Sequence, residues 1–232
     1  MITLVQYKPQ FGLPNVSPFC MKVETYLRMA GLDYKTEVMH DPRKTPKGKL
    51  PIIRDDGEIV ADSTFILQHV NRKYGIDLNS HLGAQEKAEA LAWQCFLEEH
   101  FYWILLYSRW VDDRYWPQIN QAFFGHLPPV VKTLVPKLIR ETVKKQLIAQ
   151  GMGRHSEAEI YALGQSDLNA LATWLGDKPF MMGEKISELD AVAFTFVANC
   201  LIPPIASPLQ QYVRSHANLV AYCTRMKSAY FP

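Results

Sequence analysis

A chain of 232 residues that is 48% hydrophobic and 12% aromatic is too apolar for a disordered segment, and it is long enough for one large core or two small ones. Its 25 basic and 23 acidic residues leave a net charge of +2 with no long block of like charge, which argues against a dedicated nucleic-acid binder. The four cysteines, Cys20, Cys95, Cys200 and Cys223, are too scattered for a zinc site or a dense disulfide framework, so a reducing, cytoplasmic setting is expected.

The first residues, MITLVQYKPQ, lack a basic segment leading into an apolar run and read as a strand beginning at once, not as a targeting signal. Over 17–30 the apolar positions Cys20, Val23, Leu27 and Ala30 recur at helical spacing, and Gly31 stops the helix. DYKTEVM reads as a second strand, followed by the polar connection HDPRKTPKGK. LPIIRD and EIVAD, separated by Asp56 and Gly57, give the clearest hairpin signal in the chain. After Asp62 and Ser63, TFILQHVNRKYG is helical and ends at Gly75. Strand, helix, strand, connection, hairpin, helix is the layout of an α/β thioredoxin-like domain, placed at residues 1–80.

Beyond residue 84 the strand signals vanish. Helical patterns cover 84–115, 134–150, 156–175 and 187–200, so residues 84–232 read as an all-α domain. The longest apolar stretch, AVAFTFVANCLIPPIA, is too short to span a bilayer and contains Asn199, Pro203 and Pro204. It is expected to be a buried core helix, with no membrane span. Ahead of it, Ser187 to Asp190 (SELD) forms a capping box, in which the serine caps the third amide and Asp190 reaches back to the serine amide.

These two domains, with LP ahead of the hairpin, ADS behind it and the capping box deep in the helical half, resemble the glutathione S-transferase superfamily over nearly the whole chain. The segments SPFCMKVETYLRMAGLDY, LEEHFYWILLYSRW and GRHSEAEIYALGQSDLNALATWLGDKPFMMGEK are similar to its failed-axon-connections branch, which is related to the metaxins. The resemblance implies the glutathione S-transferase fold, with glutathione bound in the first domain as co-substrate. It also implies a hydrophobic electrophile held between the domains as the acceptor, and the homodimer frequent in the superfamily.

In related thiol enzymes the position of Ser17 carries an attacking cysteine. A serine there cannot form a mixed disulfide, but at a helix start set by Pro18 its hydroxyl can donate to the thiolate of bound glutathione. Serine is equally among the commonest helix caps. Cys20, one turn on, reads as a small buried core residue.

Leu50 and Pro51 are implied to form a cis peptide that frees the Leu50 backbone for the cysteinyl part of the ligand. Asp62 and Ser63 match the position that meets its γ-glutamyl end, and Lys49 is the candidate for its glycyl carboxylate. The connection KPQFGLPNV is longer than such connections usually are. It could cover the site, shape a second pocket or block glutathione, and Tyr7 at its start is an alternative hydroxyl donor to sulfur. Tyr7, Phe11, Tyr102, Trp103, Tyr107 and Trp110 are candidates for the acceptor pocket, with Arg109 or Arg114 offering charge.

The seven histidines show no metal-binding spacing, and no metal is expected. Two functions remain in view: a glutathione transferase, and a non-catalytic binding or scaffold protein on the same fold. A thiol-disulfide oxidoreductase is disfavoured by serine at the leading position.

Overall fold

The computed structural model describes residues 1–125 and 127–232, the side chain of Val130 excepted. Strand β1 (Ile2–Gln6) leads to helix α1 (Pro18–Met29) and strand β2 (Tyr34–Val38). The helix carries the chain back along the sheet, so β1 and β2 pair in parallel, Ile2 opposite Tyr34. Strands β3 (Ile52–Asp55) and β4 (Glu58–Ala61) form the hairpin. Asp56 and Gly57 both hold positive φ, 51° and 89°, as a two-residue turn between twisted strands requires. Because β3 pairs antiparallel with β1, the four-stranded order is β2-β1-β3-β4. Helix α2 (Ser63–Tyr74) ends at Gly75 in the left-handed region. With α1 it covers the sheet, packing Val23, Leu27, Ile66 and Val70 on Ile2, Leu4 and Ile53.

The remainder is helical: α3 (Ala84–Cys95), α4 (Tyr102–Trp110), α5 (Trp116–Phe124), α6 (Pro129–Gln150), α7 (Glu157–Leu175), α8 (Glu188–Leu201), α9 (Pro208–Ser215) and α10 (Ala217–Tyr230). The fold class is therefore the one expected, a small mixed α/β sheet domain followed by an all-helical domain. The single helix read over 84–115 is instead α3 and α4 joined by a π-helical segment, Phe96–Phe101. The helix expected from 134 already begins at Pro129, where a missing amide costs nothing, and it tolerates Pro136 inside. Helices α5, α9 and α10 lie outside the expected patterns. Helix α9 has a legible start in Ser207 and Pro208, the same cap-and-proline pair as Ser17 and Pro18. Helix α10 is held by tertiary burial of Leu219, Tyr222, Cys223 and Met226.

Helix α8 joins the two domains. Every residue from Leu189 to Cys200 is buried, and the helix packs along α1. This explains an apolar run with no polar face: the helix has neighbours on every side. Its start is held by Asp190, whose carboxylate accepts from the Ser187 amide (2.9 Å) and hydroxyl (3.0 Å), the Met181 amide (2.8 Å) and the Tyr222 hydroxyl (3.0 Å). The Ser187 hydroxyl thus donates to Asp190. Among the described residues no helix is long and apolar enough to cross a membrane.

Candidate functional site

Ser17 caps α1 from an extended backbone conformation, with Pro18 at the first helical position. Its Oγ accepts from the Cys20 amide at 3.4 Å and also lies against the Cys20 thiol, and the residue is half-buried, so the rotatable O–H is within reach of the surface. The approach to this cap is fixed by Asn15, fully buried, whose Oδ1 accepts from the Ser17 amide (3.0 Å) while its Nδ2 donates to the Tyr7 carbonyl (2.6 Å). The long connection does not hang over the site. It turns at Phe11 and Gly12, both at positive φ, and Gln10 donates to the Ala122 carbonyl of α5 at 2.8 Å. Leu13 and Val16 sit in the helical domain's core, with Phe11 against it.

The helical domain grips the chain on both sides of Ser17. Arg109 of α4 donates to the Val16 carbonyl (2.7 Å), and Thr195 of α8 donates to the Pro18 carbonyl (3.0 Å). Arg109 also donates to Asn199 O and Oδ1, each at 2.7 Å, and is only 8% exposed. It therefore does not offer its charge to an acceptor pocket. Arg114 is likewise engaged, by Asp112 (2.6 Å) and Glu157 (2.5 Å).

Cys20 lies under the cap with no exposure, and burial pushes its thiol up to about 12, so it stays protonated at neutral pH. It packs with Val5, Leu50 and Ile52, and Tyr7 lies against them. The Tyr7 phenol is raised far above its ordinary value, by burial first and then by neighbours including Cys20 and Tyr102. It is held as a neutral donor. The Leu50–Pro51 peptide is cis and immediately precedes β3, with Leu50 in the Cys20 cluster. Ser17, Tyr7, Cys20 and Leu50 are thus gathered at one end of the sheet.

At the start of α2, Asp62 is exposed, with φ 88°. Its Oδ1 accepts from the Thr64 (3.0 Å) and Phe65 (3.3 Å) amides, which leaves Oδ2 outward. These amides are therefore taken by the helix's own cap. Ser63 is buried, and its Oγ accepts from Lys22 at 3.3 Å. Lys22, 1% exposed, also donates to Thr64 Oγ1 (3.4 Å) and pairs with Glu98 of the π-helical segment (2.6 Å). The Lys22 bond occupies one lone pair of the Ser63 hydroxyl, which keeps its own proton to donate. Neither Lys22 nor Glu98 was visible as a site residue in the sequence, where they stand 76 residues apart. Lys49 is exposed, and its backbone is tied to Thr45 Oγ1.

The aromatic candidates divide. Tyr102 meets Phe19, two residues after Ser17, edge to face at 5.0 Å, and Trp103 at 5.4 Å. Tyr107 instead packs on Tyr161, and Trp110 joins a cluster with Trp116, Phe123 and Phe124. Phe19 adds to the expected set, and its only signal in the sequence was its place in SPFC. Elsewhere, a cavity of ≈ 280 Å³ is lined by Gln6, Pro9, Pro14, Glu24, Arg28 and Phe231 among others, behind α1. Among the described residues no group of three His, Cys, Asp or Glu could hold a metal.

Comparison with known proteins agrees with the fold. Residues 18–115 match the family described as glutathione S-transferase N-terminal domain, and residues 164–226 match glutathione S-transferase, C-terminal domain. The chain is 34% identical to isoprene-epoxide–glutathione S-transferase of Rhodococcus sp. (strain AD45), covering 99% of each chain. It is 36% identical to Failed axon connections of Drosophila melanogaster, covering all of this chain but 58% of that longer protein. Among solved structures, a glutathione S-transferase of Methylobacterium radiotolerans in complex with glutathione sulfonate superposes with a TM-score of 0.61 at 16% identity, over 98% of this chain and 90% of that one. At that identity the likeness shows the fold. Sheet topology, domain order and a relative matched from end to end agree, and the chain belongs to the glutathione S-transferase family.

Proposed function

We propose that the protein is a glutathione transferase that activates the thiol of glutathione at Ser17 and conjugates it to a small hydrophobic electrophile. The observation that carries the reading is the start of α1: a half-buried hydroxyl on a helix amino terminus, above the Cys20 cluster against which Tyr7 is held as a neutral donor. The end-to-end relative named for an isoprene epoxide supports an epoxide as the class of electrophile. Glutathione lies with its cysteinyl backbone along Leu50 and its γ-glutamyl carboxylate on the Ser63 amide and hydroxyl. Its ammonium faces Oδ2 of Asp62, and its glycyl carboxylate faces Lys49.

The thiol proton leaves to water, and Ser17 donates to the resulting thiolate. The sulfur lone pair forms a bond to an epoxide carbon, the C–O bond breaks with its electrons going to oxygen, and that oxygen takes a proton from solvent. Phe19 and Tyr102 form the apolar wall nearest the sulfur. Four free thiols suit a reducing compartment such as the cytoplasm.

Replacing Ser17 with Ala is expected to lower kcat for epoxide conjugation about a hundredfold while changing glutathione affinity little. Unchanged kcat removes Ser17 from the chemistry. The second reading, a non-catalytic binding protein, draws on the similarity to Failed axon connections. It becomes the leading one if wild-type protein binds no glutathione.

A further inference from the structure

Arg109 is a buried cation whose three recorded hydrogen bonds all end on neutral oxygens, those of Val16 O, Asn199 O and Asn199 Oδ1. Among the described residues no carboxylate lies within ion-pair distance of it. Fully desolvated, its guanidinium is pulled down to about 10 by burial and so remains charged at neutral pH. An unpaired charge held out of water is costly, and its field is poorly screened. The peptide it grips is the one whose nitrogen belongs to Ser17.

We propose, resting on the transferase reading above, that Arg109 is the counter-charge of the site: its uncompensated positive field, delivered beside the Val16–Ser17 peptide, depresses the pKa of bound glutathione's thiol. It is a positioning residue that acts without touching sulfur. The chemistry selects a ligand group that becomes anionic at this point, a thiolate, over a neutral one.

The surrounding titratable groups leave that field intact. On its own helix, Tyr102 is raised by burial and stays neutral, and just beyond the helix end Asp112 is committed to Arg114 and Tyr161. From α8, Cys200 is pushed up to about 12 by burial, as is Cys20 from α1, and Tyr7 is also raised. The carboxylates acting on Cys20 and Tyr7 are Glu24 and Asp41. Glu24 is held by Arg28, Tyr34 and Gln6, and Asp41 by Arg43.

The discriminating variant is Asn199→Asp. It keeps an oxygen against the guanidinium but adds a neutralising charge, at the expense of the Nδ2 bond to Thr195. The pKa of enzyme-bound reduced glutathione is read from thiolate ultraviolet absorbance against pH, with S-methylglutathione as the blank. We expect a value in wild type below that of free glutathione, about one pH unit higher in Asn199→Asp, and close to wild type in Arg109→Lys, which keeps the charge. Arg109→Gln, which removes the charge and retains donors, is expected to behave as Asn199→Asp does and covers the case in which the aspartate variant misfolds. A bound thiol whose pKa is the same in wild type and in a folded neutralised variant overturns this inference alone. Failure of wild type to bind glutathione overturns it together with the transferase reading.

Discussion

At the level of single residues, the site turns on two helix caps that differ in what they leave free. Ser17 accepts one bond from its own helix through a hydroxyl that still carries its proton, whereas Asp62 spends one carboxylate oxygen on α2 and keeps the other. Both residues were legible because caps have a short-range grammar: a polar residue, then proline or serine, then an apolar period. Arg109 was legible as a residue but not in its role, because its partner Val16 lies 93 positions away and nothing local marks an arginine as unpaired. Cys20 shows how burial decides chemistry. Its thiol, and the buried Cys200 and Cys223, are each pushed up to about 12, whereas Cys95 is exposed. Native protein treated with iodoacetamide at neutral pH is therefore expected to be labelled at Cys95, with the other three reacting only after denaturation. Peptide mass spectrometry reads this directly, and rapid native labelling of Cys20 contradicts an inert thiol under the cap.

Among the elements, α8 does most to tie the domains together. Its capping box was readable in SELD, yet its depth was not: Asp190 is 0% exposed and its carboxylate accepts from Ser187, Met181 and Tyr222. An exposed cap is worth about 1 kcal/mol. Removing a fully buried acceptor strands several donors, so Asp190→Ala is expected to cost about 3 kcal/mol or more, measured by the urea midpoint. Asp190→Asn, which still accepts, is expected to cost less. Equal small losses for both contradict the buried network. The hairpin was legible because Asp56 and Gly57 encode their own turn, and α6 was legible only from 134 although Val130 and Val131 after Pro129 already belong to its apolar period. The π-helical segment within 84–115 could not be read, since it depends on packing and not on a local signal.

For the whole molecule, the helical domain fixes the start of α1 in the sheet domain through Arg109 and Thr195. Outside this interface, Ile59, Phe65 and Leu91 are 53%, 54% and 59% exposed on β4, α2 and α3. Large apolar side chains in water are a cost that pairing removes. We propose a homodimer seated on the α2 face at Phe65: sedimentation is expected to give the mass of two chains, and Phe65→Glu to give one. A wild-type monomer at micromolar concentration sinks that proposal.

The proposed function requires glutathione to bind the sheet domain between Ser17, Leu50 and the start of α2. It is tested most directly by calorimetric titration of the purified protein with reduced glutathione, repeated on Asp62→Ala. Saturable binding at one site per chain is expected, weakened about tenfold or more when the Asp62 carboxylate is removed. Absence of saturable heat in the wild-type protein contradicts it.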